Sequence, residues 1–432
     1  MFPTSLILAV LIVITPVSLI NDGPITHGIV TAVAAILVAT VAVRIRSGEA
    51  GFLSSVIRPM ATVAAIPALW MLVQVLPLDI VGLAHPIWKS AESALGRPLF
   101  GSISVDPSAT LISLIRYLST AAITFVAAAV ALDRQRAQWI LFALTAATTV
   151  IAVMVLTAAL GGLTFLSDDV LMKDASTDSA ALGVILAAAT ALHTFAVRKM
   201  RRAEQVGSSV WFWQIFVASL LSFAICSSAI ILTAKTQTYF AIACGVAILT
   251  VAGIIRRFSF GPWGYAAIVS TALVIAFAVV AIQPDSRILP LALAFATNAS
   301  PHLIAITQRI LAETSWVGTG AGTFAAVLPI YRGLDELVVA PMAPTAAAAI
   351  AVELGQPLLW TIVVVAIALA ITLLRGSIQR RLDSLYSAAG AGCVVTATLL
   401  GFGNSGVFST TVLSITAVVV GIAIAQSKSR MI

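Results

Sequence analysis

A chain of 432 residues with 60% of them hydrophobic and only 9% charged is too apolar for a water-soluble globule, in which about a quarter of residues are charged. Mean hydropathy is +1.08, and 24 Lys and Arg against 17 Asp and Glu leave a net charge of +7. Cys226, Cys244 and Cys393 lie inside apolar runs without a C-x-x-C pair, and the four histidines show no metal-ligand spacing, so neither a disulfide framework nor a metal- or cofactor-binding pattern is read from them.

In chain order, apolar runs long enough to cross a bilayer, about 20 residues each, alternate with polar breaks. The first two spans cover about 4–20 and 27–43, and a third ends near 77. A polar segment then leads to span four at 111–132, and span five ends near 160. Spans six to nine cover about 179–197, 211–234, 239–255 and 265–283. A long polar interruption follows over roughly 284–345; span ten ends near 374, span eleven near GFGNSG, and span twelve leads into SKSRMI. The expected fold is an all-α integral membrane protein of about 12 transmembrane helices, one polytopic domain over 1–432, with a long extracytoplasmic loop containing short helices.

Charge sets the expected orientation. Breaks after even-numbered spans, with the C-terminal tail, carry 16 of the 24 Lys and Arg but only four acids, Glu49, Asp133, Glu204 and Asp383. The opposite side carries seven basic residues and 13 acids, with Arg116 inside span four. By the positive-inside rule both termini are cytoplasmic and the long loop is outside. This asymmetry accounts for the +7 charge without a nucleic-acid partner. The first apolar run lacks a basic leader and a small-residue cleavage site, and reads as a retained span.

The loop has its own pattern. Ser300-Pro301 is a helix start, a hydroxyl N-cap before proline at the first position, and no glycine or proline follows until beyond Ser315. On that helix His302, Arg309 and Glu313 fall near one face, being seven and eleven residues apart. GTGAG, with Gly320 and Gly322 at its centre and end, is either a tight turn back to the membrane surface or a backbone cradle for an anion. Asp335 and Glu336 read as a solvated turn, and Asp168, Asp169, Asp174 and Asp178 as a hydrated acidic loop with no metal-loop spacing. Arg116 either points inward, as charges at membrane depth do by default, or snorkels to the interface.

The run QRILAETSWVGTGAGTFAAVLPIYR resembles the signature of the O-antigen ligase and polymerase superfamily: an arginine-bearing helix, a G-x-G-x-G-T-F turn and a Pro-x-Tyr segment. LVQVLPLDIVGLAHP and SISVDPSATLISLIRYL resemble that family's first large outer loop and next span, and Glu353-Leu354-Gly355 matches its Glu-x-Gly. The pattern departs elsewhere. The family's His-Asn pair falls on Pro344 and Thr345, its Asn-x-Asn on Ser176-Thr177-Asp178, and its Ser-Arg-Gly on a segment holding Lys235.

The resemblance implies a metal-independent glycosyltransferase in a bacterial inner membrane. It would move glycan from a polyprenyl-diphosphate-linked oligosaccharide to a glycan or lipid acceptor, ligating or polymerising a surface polysaccharide. The diphosphate calls for fixed positive charge, best supplied by arginine; Arg309 and Arg332 are the candidates, with Lys235, Arg287 and Arg116 on the same side and Gly320 and Gly322 as backbone donors. A general base on the acceptor hydroxyl falls to Glu353 or His302 once the family histidine is absent. The alternative is a non-catalytic subunit that binds lipid-linked glycan and partners other polysaccharide assembly proteins.

Overall fold

The computed structural model describes residues 2–20, 22–44, 47–77, 82–161, 174–203, 210–258, 291–296, 299–332, 342–379 and 384–427. The regular elements are helices: α1 (Phe2–Ile20), α2 (Pro24–Arg44), α3 (Ser47–Val75), α4 (Ile87–Leu95), α5 (Pro107–Val130), α6 (Arg134–Ala159), α7 (Asp174–Ala203), α8 (Val210–Thr233) and α9 (Thr236–Phe258). They continue with α10 (Pro301–Glu313), α11 (Phe324–Tyr331), α12 (Ala346–Glu353), α13 (Gln356–Gln379), α14 (Ser384–Gly403) and α15 (Thr410–Ser427).

Ten of these helices are long and apolar enough to cross a membrane: α2, α3, α5 to α9 and α13 to α15. The apolar part of α1, Leu8–Ile20, is shorter. The expected span over 265–283, together with Arg287, Asp168, Asp169, Asp335 and Glu336, lies outside the described residues.

Local chemistry sets the helix starts. Asp106 caps α5 by accepting the Ser108 and Ala109 N–H groups at 2.9 and 3.1 Å, with Pro107 first in the helix. Asp133 caps α6 through Gln135 N–H at 3.0 Å. Ser300 caps α10 by accepting from Leu303 N–H at 3.2 Å, with Pro301 following, as its spacing predicts. Each cap satisfies donors that a helix start leaves open.

The bundle is built around α7, α14 and α15. In their apolar windows 78%, 83% and 78% of residues are buried, against 11% in α3 and 17% in α2. Close packing of small residues does this. A Cβ at Gly421 would lie 2.4 Å from the Thr124 carbonyl oxygen, and one at Gly245 2.2 Å from Thr396 Oγ1. Lipid tails are as apolar as leucine, so contact geometry and interhelical hydrogen bonds hold such helices together. Ser18 and Thr411 hydroxyls meet at 2.8 Å between α1 and α15; a bond of this kind contributes about 0.6 kcal/mol.

The loop is more folded than its polarity suggests. The sequence places 346 onward in span ten, whereas the structure separates α12 from α13 at Leu354 and Gly355. Gly355 adopts φ 91°, which a Cβ disfavours, and Pro357 offers no N–H to an extended α12. Alanines 346–349 and 351 are buried, so α12 is packed inside the end of the bundle. That end, which also carries Asp22, Asp174 and Lys235, is called the loop end below.

Candidate functional site

Glu353, the last residue of α12, is tied into the glycine turn. Its carboxylate accepts the Gly322 N–H at 2.8 Å on Oε2 and the Phe324 N–H at 3.1 Å on Oε1. These donors open α11, whose N-cap residue Thr323 makes no side-chain cap and instead donates its hydroxyl to the Gly320 carbonyl at 2.6 Å. The helix N-terminus, a ready anion site, is thus occupied by the protein's own carboxylate. Burial pushes the Glu353 carboxyl up from about 4.5 to about 7, with the two backbone donors and Arg116 opposing that shift.

Neighbouring donors in the turn are also engaged. Gly320 N–H donates to the Glu353 carbonyl at 2.9 Å, and Thr319 N–H to Val352 at 3.0 Å. Gln74 stitches both segments to α3: its Nε2 donates to the carbonyls of Val317 and Glu353 at 3.0 and 2.9 Å, and its Oε1 accepts from Ala321 N–H at 3.3 Å. Trp70 Nε1 donates to the Leu354 carbonyl at 3.0 Å. Gly320 (φ 106°) and Gly322 (φ 77°) are required by contact as well as by backbone conformation: a Cβ would lie 2.3 Å from Ser104 Oγ in one case and 2.4 Å from Ser113 Oγ in the other. Of the two sequence alternatives for GTGAG, this geometry is the tight turn, with Glu353 as its anion.

Arg309 sits on the exposed face of α10. Its Nε donates to Glu313 Oε1 at 3.0 Å, one helical turn on, and its guanidinium lies 5.8 Å from the centre of the Tyr331 ring. Glu313 also takes a hydrogen bond from the Tyr331 hydroxyl. The hydrogen bonds from Arg309 and Tyr331 hold Glu313 below the usual carboxylate range, while partial burial and Glu313 raise the Tyr331 phenol. Arg332 is half-buried at the end of α11, and His302 is exposed in the first turn of α10.

Lys235 is placed elsewhere. In the turn between α8 and α9 it pairs with Asp174 Oδ1 at 3.0 Å. One turn into α7, Asp178 is fully buried, accepts from Asn404 Nδ2 at 2.9 Å on Oδ1, and has no hydrogen-bond partner on Oδ2 among the described residues. Thr345, the position of the family asparagine, caps α12 by accepting Ala348 N–H at 3.0 Å and donates its hydroxyl to the Ala292 carbonyl at 2.8 Å. Pro344 is buried just before it.

A second polar group gathers around Arg116. Arg116 Nη2 donates to the Phe408 carbonyl at 3.2 Å, and the guanidinium lies within electrostatic reach of Asp22 and Glu353. Beside it, Thr410 at the start of α15 donates its hydroxyl to Asp22 Oδ1 at 2.6 Å and its N–H to Asp22 Oδ2 at 3.3 Å. The same hydroxyl is 2.8 Å from His27 Nδ1. His27, Thr31, Arg116, Ser119, Thr120 and Thr410 line a cleft of about 300 Å³, counting its open side, with Val30 and Leu413 as apolar walls.

The structure thus brings Glu353, Gly320 and Gly322 into direct contact and sets Arg116 within their electrostatic field. It gives Arg309 and Lys235 separate partners and leaves His302 exposed on α10. Asp22, His27 and Thr410 escape sequence reasoning because each is an ordinary break residue; the one local signal is an acid and a histidine sharing the short break between the first two spans. No family model matches the chain and no curated protein matches it, so the ligase and polymerase likeness rests on the residues that carry it.

Proposed function

We propose that the loop end of this bundle binds the diphosphate of a polyprenyl-linked oligosaccharide and transfers its sugar to an acceptor hydroxyl, on the outer face of a bacterial cytoplasmic membrane. The observation that carries this reading is Arg116. It stands nine residues into α5, roughly 13 Å along the helix axis, in a cleft lined by a histidine and several hydroxyls. A guanidinium at membrane depth is costly to hold and is characteristic of sites that handle charge. Its donors suit phosphate oxygens. Arg309 and Arg332, on α10 and α11, supply further positive charge at the same end of the bundle. The likeness of residues 308–332 to the ligase and polymerase signature supports the same assignment.

The test is transfer of sugar by the purified protein in nanodiscs, supplied with lipid-linked oligosaccharide and candidate acceptors. Product formed by the wild type and lost in Arg116→Ala, with the variant still folded by size-exclusion chromatography, is the expected result. Binding of the lipid-linked glycan with no product from any acceptor would instead favour a non-catalytic assembly subunit. One observation favours that second reading: Pro344 and Thr345, in the positions of the family's His-Asn pair, lead into and cap α12. Neither binding nor product would overturn both.

A further inference from the structure

The cleft beside Arg116 contains a directed chain of hydrogen bonds, and the direction identifies a proton acceptor. Thr410 donates its single hydroxyl proton to Asp22 Oδ1, 2.6 Å away. The Thr410 oxygen then has only lone pairs to offer His27 Nδ1 at 2.8 Å, and Nδ1 must carry the ring proton. Asp22 Oδ1, 3.7 Å from Nδ1, favours the same tautomer. The imidazole's remaining lone pair is therefore on Nε2, in a ring that lines the cleft.

Asp22 is itself held in place, since its Oδ2 accepts the Thr410 N–H at the start of α15, where helix polarity favours an anion. The ring sits in the first turn of α2, whose backbone is fixed by His27 N–H donating to the Gly23 carbonyl at 3.1 Å. Among the described residues, the charged and titratable groups facing His27 are Asp22 and Arg116. Asp22 stabilises the imidazolium that proton uptake would form. Arg116 opposes that charge, and the opposition is relieved when an anion sits on the guanidinium. The cleft has room for a water-sized group, the size of one hydroxyl.

We propose that His27 is the general base of the transfer reaction, with Asp22 and Thr410 as its positioning residues. This rests on the glycan-transfer reading above. The acceptor oxygen forms a bond to the anomeric carbon as the bond from that carbon to the phosphate oxygen breaks. The hydroxyl proton passes to His27 Nε2, and the diphosphate leaves with the electron pair beside Arg116. No metal or further reactant is needed for this balance.

The experiment measures transfer and substrate binding together for wild type, His27→Ala, His27→Gln and Thr410→Val, each in nanodiscs with lipid-linked oligosaccharide. General-base loss is expected to lower the rate about 100-fold or more in both His27 variants while changing lipid-linked glycan affinity by less than about twofold. Added imidazole should restore part of the rate to His27→Ala. Thr410→Val removes the orienting hydroxyl at nearly constant volume; it should lower the rate less and displace the acidic limb of the pH–rate profile. Wild-type rates in both His27 variants would overturn the assignment while leaving the transferase reading intact. A wild type that transfers no sugar to any acceptor would overturn both. Equal loss of binding and transfer in His27→Gln, with normal chromatography, would make His27 a ligand contact and also overturn the assignment.

Discussion

The glycine turn with Glu353 and the cleft with Arg116 are neighbours at one end of the bundle, yet they are built on opposite plans. In the turn, the donors of residues 319–322 and 324 and both Glu353 oxygens are consumed internally, by one another, by Gln74 or by Val352. In the cleft, among the described residues, Arg116 makes one hydrogen bond to a carbonyl and keeps donors to spare, and His27 keeps a lone pair. The most conspicuous polar motif of the sequence is therefore internally satisfied, and the less conspicuous residues keep polar groups open. A rigid, satisfied framework beside an under-satisfied pocket is what a binding site on a fixed support requires.

The sharpest way to break that contrast is at Gly355. A Cβ there would lie 2.1 Å from the Trp316 carbonyl oxygen, at φ 91°. Gly355→Ala should destabilise the loop end by roughly 3–5 kcal/mol, from left-handed strain together with overpacking, read as loss of folded protein on heating in detergent. Next is Gln74→Leu, which removes three hydrogen bonds and strands buried backbone groups. It should cost about 2–4 kcal/mol, with Gln74→Glu as a comparison that keeps the acceptor but not the donor.

Glu353→Gln is the more discriminating change. An amide has one acceptor oxygen where the carboxylate has two, so one of the Gly322 and Phe324 donors is left facing an NH2 group. The expected cost is about 1–2 kcal/mol, with transfer retained within a few-fold; a loss as deep as that of His27→Ala would make Glu353 part of the chemistry.

The same carboxyl gives a pH signature. Its folded-state value of about 7 stands above the ordinary 4.5, so the folded protein binds the proton more tightly than the unfolded chain. This contribution to stability is present in full below about 4.5, is lost as pH rises through about 7, and is level above that. Melting in detergent should show this decline and Glu353→Gln should flatten it. The smallest effect is expected at Arg309: its pair with Glu313 is exposed, and Arg309→Ala should leave the melting temperature unchanged, so any loss of transfer there reports contact with substrate.

Much of this fold is legible in the chain because its signals are local. Hydropathy and length mark the ten long apolar helices, and Ser300-Pro301 marks the start of α10. The short helix α12 is not legible as a separate element, because a run of alanines before a membrane span carries no boundary until Gly355. The role of Glu353 is hidden for a different reason. Its partners lie 29 and 31 residues earlier, and only the return of the chain reveals that the turn's anion is internal. The cleft is hidden most deeply: Asp22 and His27 acquire meaning from Thr410, 388 and 383 residues away.

That separation has a consequence for biosynthesis. Asp22 and His27 leave the ribosome before the hydroxyl they share, which arrives with α15, 388 and 383 residues later. At about 5–20 residues per second, the 383-residue interval takes roughly 20–75 s. Throughout that time α1 and α2 must wait in the bilayer without the partner that completes the cleft. A nascent chain arrested before residue 410 would hold Arg116 but lack the hydroxyl that tethers Asp22 and His27.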